Sequence, residues 1–138
     1  MTQGAAITRR RFLATAAAIA GSALVVERRP WRALVTFAPV SAGERLAGLL
    51  THRDSAREVG SAYLDRAPQE ASVSGLVDRI AAELPQGRRT VQEASDDELR
   101  TLLAASIRLD FEHDRVVQVR GWVLSPTEAR LYALAALV

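Results

Sequence analysis

Two histidines, His52 and His113, are the only imidazoles in a chain of 138 residues, and 61 positions separate them. Each has acids beside it: Asp54 near the first, Glu112 and Asp114 around the second. Two imidazoles and a carboxylate could hold a divalent metal if the fold brought them together. The simpler reading puts His52 in a turn and His113 at a helix C-terminus, where the helix dipole favours a cation. Asp96, Asp97 and Glu98 form an acidic run. It falls where a helix should start, and negative charge is favoured there for the same reason. No two carboxylates are marked as an acid/base couple, no serine sits in a Gly-x-Ser-x-Gly setting, and there is no Gly-x-Gly-x-x-Gly loop. Cysteine and lysine are absent, and all 18 basic residues are arginine. This chain therefore has no disulfide, thiolate ligand or cysteine nucleophile, and no lysine for Schiff-base chemistry or a Walker-type phosphate loop. The expectation is a chain that is not an enzyme and holds no metal or cofactor.

The other chemistry open to these residues is recognition. Trp122, Tyr63, Tyr132 and Phe111 are the large aromatics after residue 42. Trp, Tyr and Arg dominate binding hot spots, because a rigid ring buries much area at little entropic cost. Trp122, Val123, Leu124, Arg130 and Tyr132, with Arg120 beside them, are the candidate partner interface. The competing account has Trp122 fastening its segment to Leu103 and Ile107 in the core.

These residues need elements to position them, and the punctuation after Ser41 is helical. Four Ser-x-x-Glu pairs have the spacing of a capping box: Ser41/Glu44, Ser55/Glu58, Ser95/Glu98 and Ser125/Glu128. A short helix is expected over about 44–50. A second, about 56–67, carries Ala56, Val59, Gly60, Tyr63, Leu64 and Ala67 on one stripe and ends at Pro68. A third runs about 74–84, with Leu76, Val77, Ile80 and Leu84 inward, and Pro85-Gln86-Gly87 stops it. The fourth, about 96–113, shows Leu99, Leu102, Leu103, Ile107 and Phe111 at three- and four-residue steps. The last, about 126–137, has Pro126 at its first position, where the missing N–H costs nothing, and Leu131, Leu134, Ala135 and Val138 on its buried side. Val116 to Leu124 is β-branched on both sides of Arg120-Gly121 and reads as a hairpin, although Arg-Gly is not a favoured turn pair. A lone hairpin is marginal in water and must lie on the helices, with Trp122 as its expected anchor. The fold class is mostly α: a small helical bundle with a minor C-terminal β-hairpin, preceded by a signal-peptide helix.

Charge divides the chain in two. Residues 1–42 carry six arginines and one glutamate, a balance of +5; residues 43–138 carry twelve arginines and fifteen acids, a balance of −3. A pI near 9.9 thus comes from the N-terminal segment, and no nucleic-acid partner is expected. The apolar fraction of 49% suits a globular domain.

Thr8-Arg9-Arg10-Arg11-Phe12-Leu13 precedes an Ala- and Gly-rich apolar run that ends at Val26. A charged start followed by a short apolar stretch is the layout of an export signal. The pattern resembles the twin-arginine (Tat) signal, with Arg9, Arg10, Phe12 and Leu13 as its determinants. Arg28, Arg29 and Arg32 beyond the run fit that route. Val40-Ser41-Ala42 before Gly43 has the small-x-small form of a cleavage site; an uncleaved segment would remain as an anchor. The expected organisation is a signal and flanking segment over 1–42 and a helical domain over 43–138. The expected location is the periplasm, with the Tat translocase as transient partner and membrane contact through the signal. The Tat route carries proteins already folded, which a cofactor or a partner subunit usually requires.

Leu46 to Leu50 with Val59-Gly60-Ser61-Ala62-Tyr63-Leu64, and Gly121-Trp122-Val123-Leu124 with Thr127-Glu128-Ala129, resemble the small subunits of membrane-associated FAD-dependent sugar and polyol dehydrogenases of the gluconate or sorbitol type. The Trp-containing stretch is more closely spaced here. The resemblance implies a non-catalytic accessory subunit or export escort, accompanied by a larger co-exported flavin subunit. The alternative is a stand-alone periplasmic helical binding protein.

Overall fold

A computed structural model describes residues 40–138. Arg9, Arg10, Phe12 and Leu13 of the expected Tat signal lie outside the described residues, as does the expected signal helix. The order of elements is α1 (Ala42–Gly48), α2 (Arg53–Arg66), a single 3₁₀ turn (Pro68–Glu70), α3 (Val73–Ala82), α4 (Arg88–Glu93), α5 (Asp96–Glu112), β1 (Val117–Val119), β2 (Trp122–Leu124) and α6 (Pro126–Leu137). The mostly helical fold with a C-terminal hairpin is the class the sequence predicts.

The last helix is the hub. Helix α6 packs against α2 most extensively and also against α1, α3 and α5. Thr127, Ala129, Leu131, Ala133, Leu134 and Ala135 are all buried, so burial runs around most of its circumference. A helix enclosed on several sides cannot keep a polar stripe. Its alanines let neighbours approach closely. The tightest approach is at Gly60 of α2, where a Cβ would stand 2.0 Å from the carbonyl oxygen of Tyr132. Leu46, Leu76, Ile80, Leu99 and Leu134 are fully buried and form the centre of the core.

Three of the four expected serine caps hold. Ser41 makes the complete box: it accepts from the N–H of Glu44, and its own N–H donates to the Glu44 carboxylate at 2.8 Å. That bond and the Ser41 hydroxyl hold the Glu44 carboxyl below its ordinary range. A chain cleaved after Ala42 would lose this cap and the first residue of α1. Ser95 and Ser125 accept from Glu98 and Glu128. The Ser55/Glu58 pair does not form a cap, because α2 starts earlier. His52 occupies the N-cap position, its carbonyl accepts from the N–H of Ala56 at 3.0 Å, and Ser55 lies inside the helix. Ser72 caps α3 with no glutamate in support.

One element was not expected, and one helix face is corrected. Helix α4 is invisible in the periodicity: six residues, with only Thr90 and Val91 buried, cannot show a stripe. Arg45 tethers it, donating from Nη1 to the Val91 and Gln92 carbonyls and from Nη2 to Ala94 and Asp96. On α5, Leu99, Leu103, Ser106 and Asp110 are the buried residues and Leu102 and Ile107 pack beside them on the core, whereas Phe111, expected on the same stripe, is exposed. The helix turns a polar pair inward because Asp110 is needed at the start of α6.

The hairpin pairs Val117 with Leu124, Gln118 with Val123 and Val119 with Trp122. Arg120 and Gly121 have φ of 47° and 84°, so both residues of the two-residue turn are left-handed, as a type I′ turn requires. Val119 and Leu124, not Trp122, fasten the hairpin to the helices. Arg66 donates to the Gln118 carbonyl, and Arg120 bridges to Glu58 at 3.3 Å.

Candidate functional site

Residues at alternate positions of a strand share a face. Trp122 and Leu124 therefore project to the helical side of the hairpin, and Val123 to the outer side. Leu124 is sealed against the core at 6% exposure. Trp122, nearer the turn, reaches past the edge of the bundle and stays 63% exposed. Beneath it lies a groove of about 460 Å³. It is lined by Leu50, Thr51 and His52 of the α1–α2 connection, Ser55, Ala56 and Val59 of α2, Trp122 and Leu124 of β2, and Glu128 and Tyr132 of α6. The lining is mainly apolar surface with a few polar groups, as ligand and partner grooves are.

Two of those polar groups are joined. The Tyr132 hydroxyl donates to Oε1 of Glu128 at 2.8 Å, one helical turn away. The Glu128 N–H donates to Ser125, but its carboxylate turns to Tyr132 instead of closing the box. Burial, and then the Glu128 carboxylate, push the Tyr132 hydroxyl up to about 12, so it is a donor throughout the physiological range.

The structure thus brings Trp122, Leu124 and Tyr132 of the expected interface to one groove. It does not bring Val123 or Arg130. Val123 is 51% exposed on the opposite face of the hairpin. Arg130 turns inward to Glu70, where its Nε reaches Oε2 at 3.2 Å. Six groove residues escaped the sequence reading as site residues, Leu50, Thr51, Ser55, Ala56, Val59 and Glu128, and His52 was weighed there only as a metal ligand. Ser55 and Glu128 look like cap residues in the sequence, and nothing local signals that Glu128 faces a groove.

Two other polar clusters are structural. Glu70 is 9% exposed and accepts from Tyr63 at 2.8 Å and from Arg130, with Arg79 at 3.6 Å. Burial opposes its charge, but hydrogen bonds from Arg130 and Tyr63 prevail and hold its carboxyl below the ordinary range. Burial, then the bond to Glu70, raises the Tyr63 hydroxyl. Asp110 is 2% exposed; Arg115 donates to its Oδ1 from Nε at 2.9 Å, and the Thr127 N–H donates to its Oδ2 at 3.2 Å. Asp110 thus caps α6 from another helix. Burial opposes its charge too, and the bonds from Thr127 and Arg115 overcome that and lower its pKa. Among the described residues, no buried side-chain nitrogen or oxygen lacks a hydrogen-bond partner.

His52 and His113 are not brought together. His113 follows α5, its Nδ1 within 2.7 Å of the Leu109 carbonyl oxygen. Among the described residues, no three His, Asp or Glu side chains are grouped to hold a metal ion, and no helix is long and apolar enough to cross a membrane. Asp96 and Asp97 lie in the first turn of α5, paired with Arg45 and Arg100. Comparison with family models, with curated proteins and with solved structures finds no match to this chain. The fold and groove define it by architecture alone: a small α-helical domain with a type I′ hairpin at the mouth of an apolar groove.

Proposed function

We propose that this chain is an exported, non-catalytic accessory subunit that docks a larger oxidoreductase subunit through the Trp122 groove. The observation that carries the reading is Trp122 itself, a tryptophan 63% exposed over a mainly apolar groove. Such rings in open pockets are the anchors around which protein interfaces form. The two most buried carboxylates support it, since Glu70 and Asp110 are both engaged by arginines and fold-holding donors. The arginine-led N-terminal motif supports transport by the Tat route to the periplasm, and the resemblance to small dehydrogenase subunits makes a flavin-dependent partner the class to test.

The test is affinity purification of the exported protein from its native cells. Wild type should bring down a larger, yellow, flavin-bearing subunit, and Trp122→Ala should lose it while remaining folded. Arg9→Lys with Arg10→Lys should block export. Retention of the partner by Trp122→Ala overturns the docking surface. Recovery of a lone, colourless chain favours a stand-alone binding protein.

A further inference from the structure

Among the described residues, Glu70 and Asp110 are buried carboxylates and Glu128 is half-buried. Glu70 has Arg130 and Arg79; Asp110 has Arg115. Glu128 has no cation among the described residues. Its one side-chain partner is the Tyr132 hydroxyl, a neutral donor to Oε1. A half-buried carboxylate is costly without a compensating charge, and this protein supplies an arginine at each of the other two. Glu128 also differs in place. Among the described residues it is the only acid lining the groove, and no arginine lines it.

We infer that the groove receives an arginine side chain from the docking partner, its guanidinium on Glu128 and flanking apolar residues on Leu50, Val59 and Leu124. This rests on the docking reading and specifies the partner's chemistry. Charge complementarity selects a cation, and the aromatic lining selects the kind. A guanidinium is planar and weakly hydrated, stacks on an indole face and still donates in its own plane to a carboxylate. Trp122 and Glu128 offer those two partners in one groove. The Tyr132 bond holds Oε1, leaving the carboxylate oriented and its other oxygen without a donor among the described residues.

The test uses the full-length chain with Trp31→Phe, so that emission reports Trp122 alone. The probes are blocked pentapeptides, acetyl-Ala-Leu-X-Leu-Ala-amide, with X arginine, norleucine or glutamate. The arginine peptide should shift the emission saturably and bind about tenfold more tightly than the norleucine peptide, with glutamate weakest. Glu128→Gln keeps an acceptor for Tyr132 and should abolish the arginine preference while leaving norleucine binding unchanged. Equal binding of arginine and norleucine peptides overturns the inference, as does a preference that survives Glu128→Gln, or no response to any peptide. An emission shift with protein concentration alone would put a second copy of the chain in the groove and also overturns it. The docking reading fails separately: partner retention by Trp122→Ala defeats it, whereas partner retention by Glu128→Gln defeats only the arginine.

Discussion

Arg130 and Glu70 meet across 60 positions of sequence, Nε to Oε2 at 3.2 Å, and both side chains are largely withdrawn from solvent. The pair ties the central helix α6 to the turn that follows α2. Removing one member leaves the other charged and unpaired, so Glu70→Ala should cost about 3 kcal/mol in urea denaturation. Replacing the whole cluster by apolar residues leaves no orphan. Glu70→Leu, Arg130→Met and Tyr63→Phe together should therefore cost less than Glu70→Ala alone. The reverse order would show that the ion pair is a net stabiliser.

Stability should be lost at both ends of the pH scale, for opposite reasons. Glu70 and Asp110 have folded pKa values below their unfolded ones. Their contribution is complete above the unfolded carboxylate value, about 4, and disappears as pH falls through the folded values. Tyr132 titrates at about 12 when folded. A raised tyrosine contributes fully below its unfolded value, about 10, and that contribution is lost as pH rises to the folded value. Thermal melts by circular dichroism from acid to alkali should show a neutral plateau with two falling limbs. Asp110→Asn should flatten the acid limb, and Tyr132→Phe the alkaline one.

Gly60 and Gly48 should respond oppositely to the same substitution. A Cβ on Gly60 would stand 2.0 Å from a backbone carbonyl of α6, which cannot rotate away. Gly60→Ala must force α2 and α6 apart and should cost about 3 kcal/mol. Gly48 ends α1 with nothing within 4 Å of such an atom, so Gly48→Ala should be neutral or stabilise by up to about 1 kcal/mol. Paired melts of the two variants check this.

The hairpin turn sets a backbone preference against an ion pair. Arg120 is held at φ 47°, which costs an L-residue of this type about 1–2 kcal/mol and asparagine less. Its bridge to Glu58 joins two exposed side chains and contributes little. Arg120→Asn should therefore raise the melting temperature despite breaking the bridge. A fall would mean that the bridge outweighs the turn.

Five of the six described helices were legible because they carry local signatures; the short α4 carries none. Ser41, Ser95 and Ser125 cap where their glutamates suggest, and Pro126 opens the last helix. What depended on distant partners was not legible. Phe111 continues a regular apolar spacing, yet Asp110 takes the inward place because the N-terminus of α6 lies there. Ser55 has a capping glutamate, yet α2 already begins after His52. The groove mixes a connection, two helices and a strand, so no single window of sequence contains it. Trp122, Leu124 and Tyr132 were visible as a cluster because a short hairpin leads directly into α6. Glu128 was not, since its spacing from Ser125 already explained it as a cap.

Trp122 and Leu124 share a face of one strand and should behave as different kinds of residue. Leu124 is 6% exposed in the core, and truncation leaves a cavity that the helices cannot fill. Leu124→Ala should cost about 2–5 kcal/mol. Trp122 is 63% exposed and most of its surface is already in water. Its truncation removes few core contacts, so Trp122→Ala should cost under about 1 kcal/mol and leave the circular dichroism melt of the full-length chain nearly unchanged. A core tryptophan would cost about 3–5 kcal/mol, so the two accounts differ by more than the error of a denaturation curve. The same Trp122→Ala protein, shown to be folded, is the one to carry into co-purification. Loss of the partner without loss of stability assigns the ring to the interface. If the variant unfolds, the ring belongs to the core, and the groove loses its claim as a docking site.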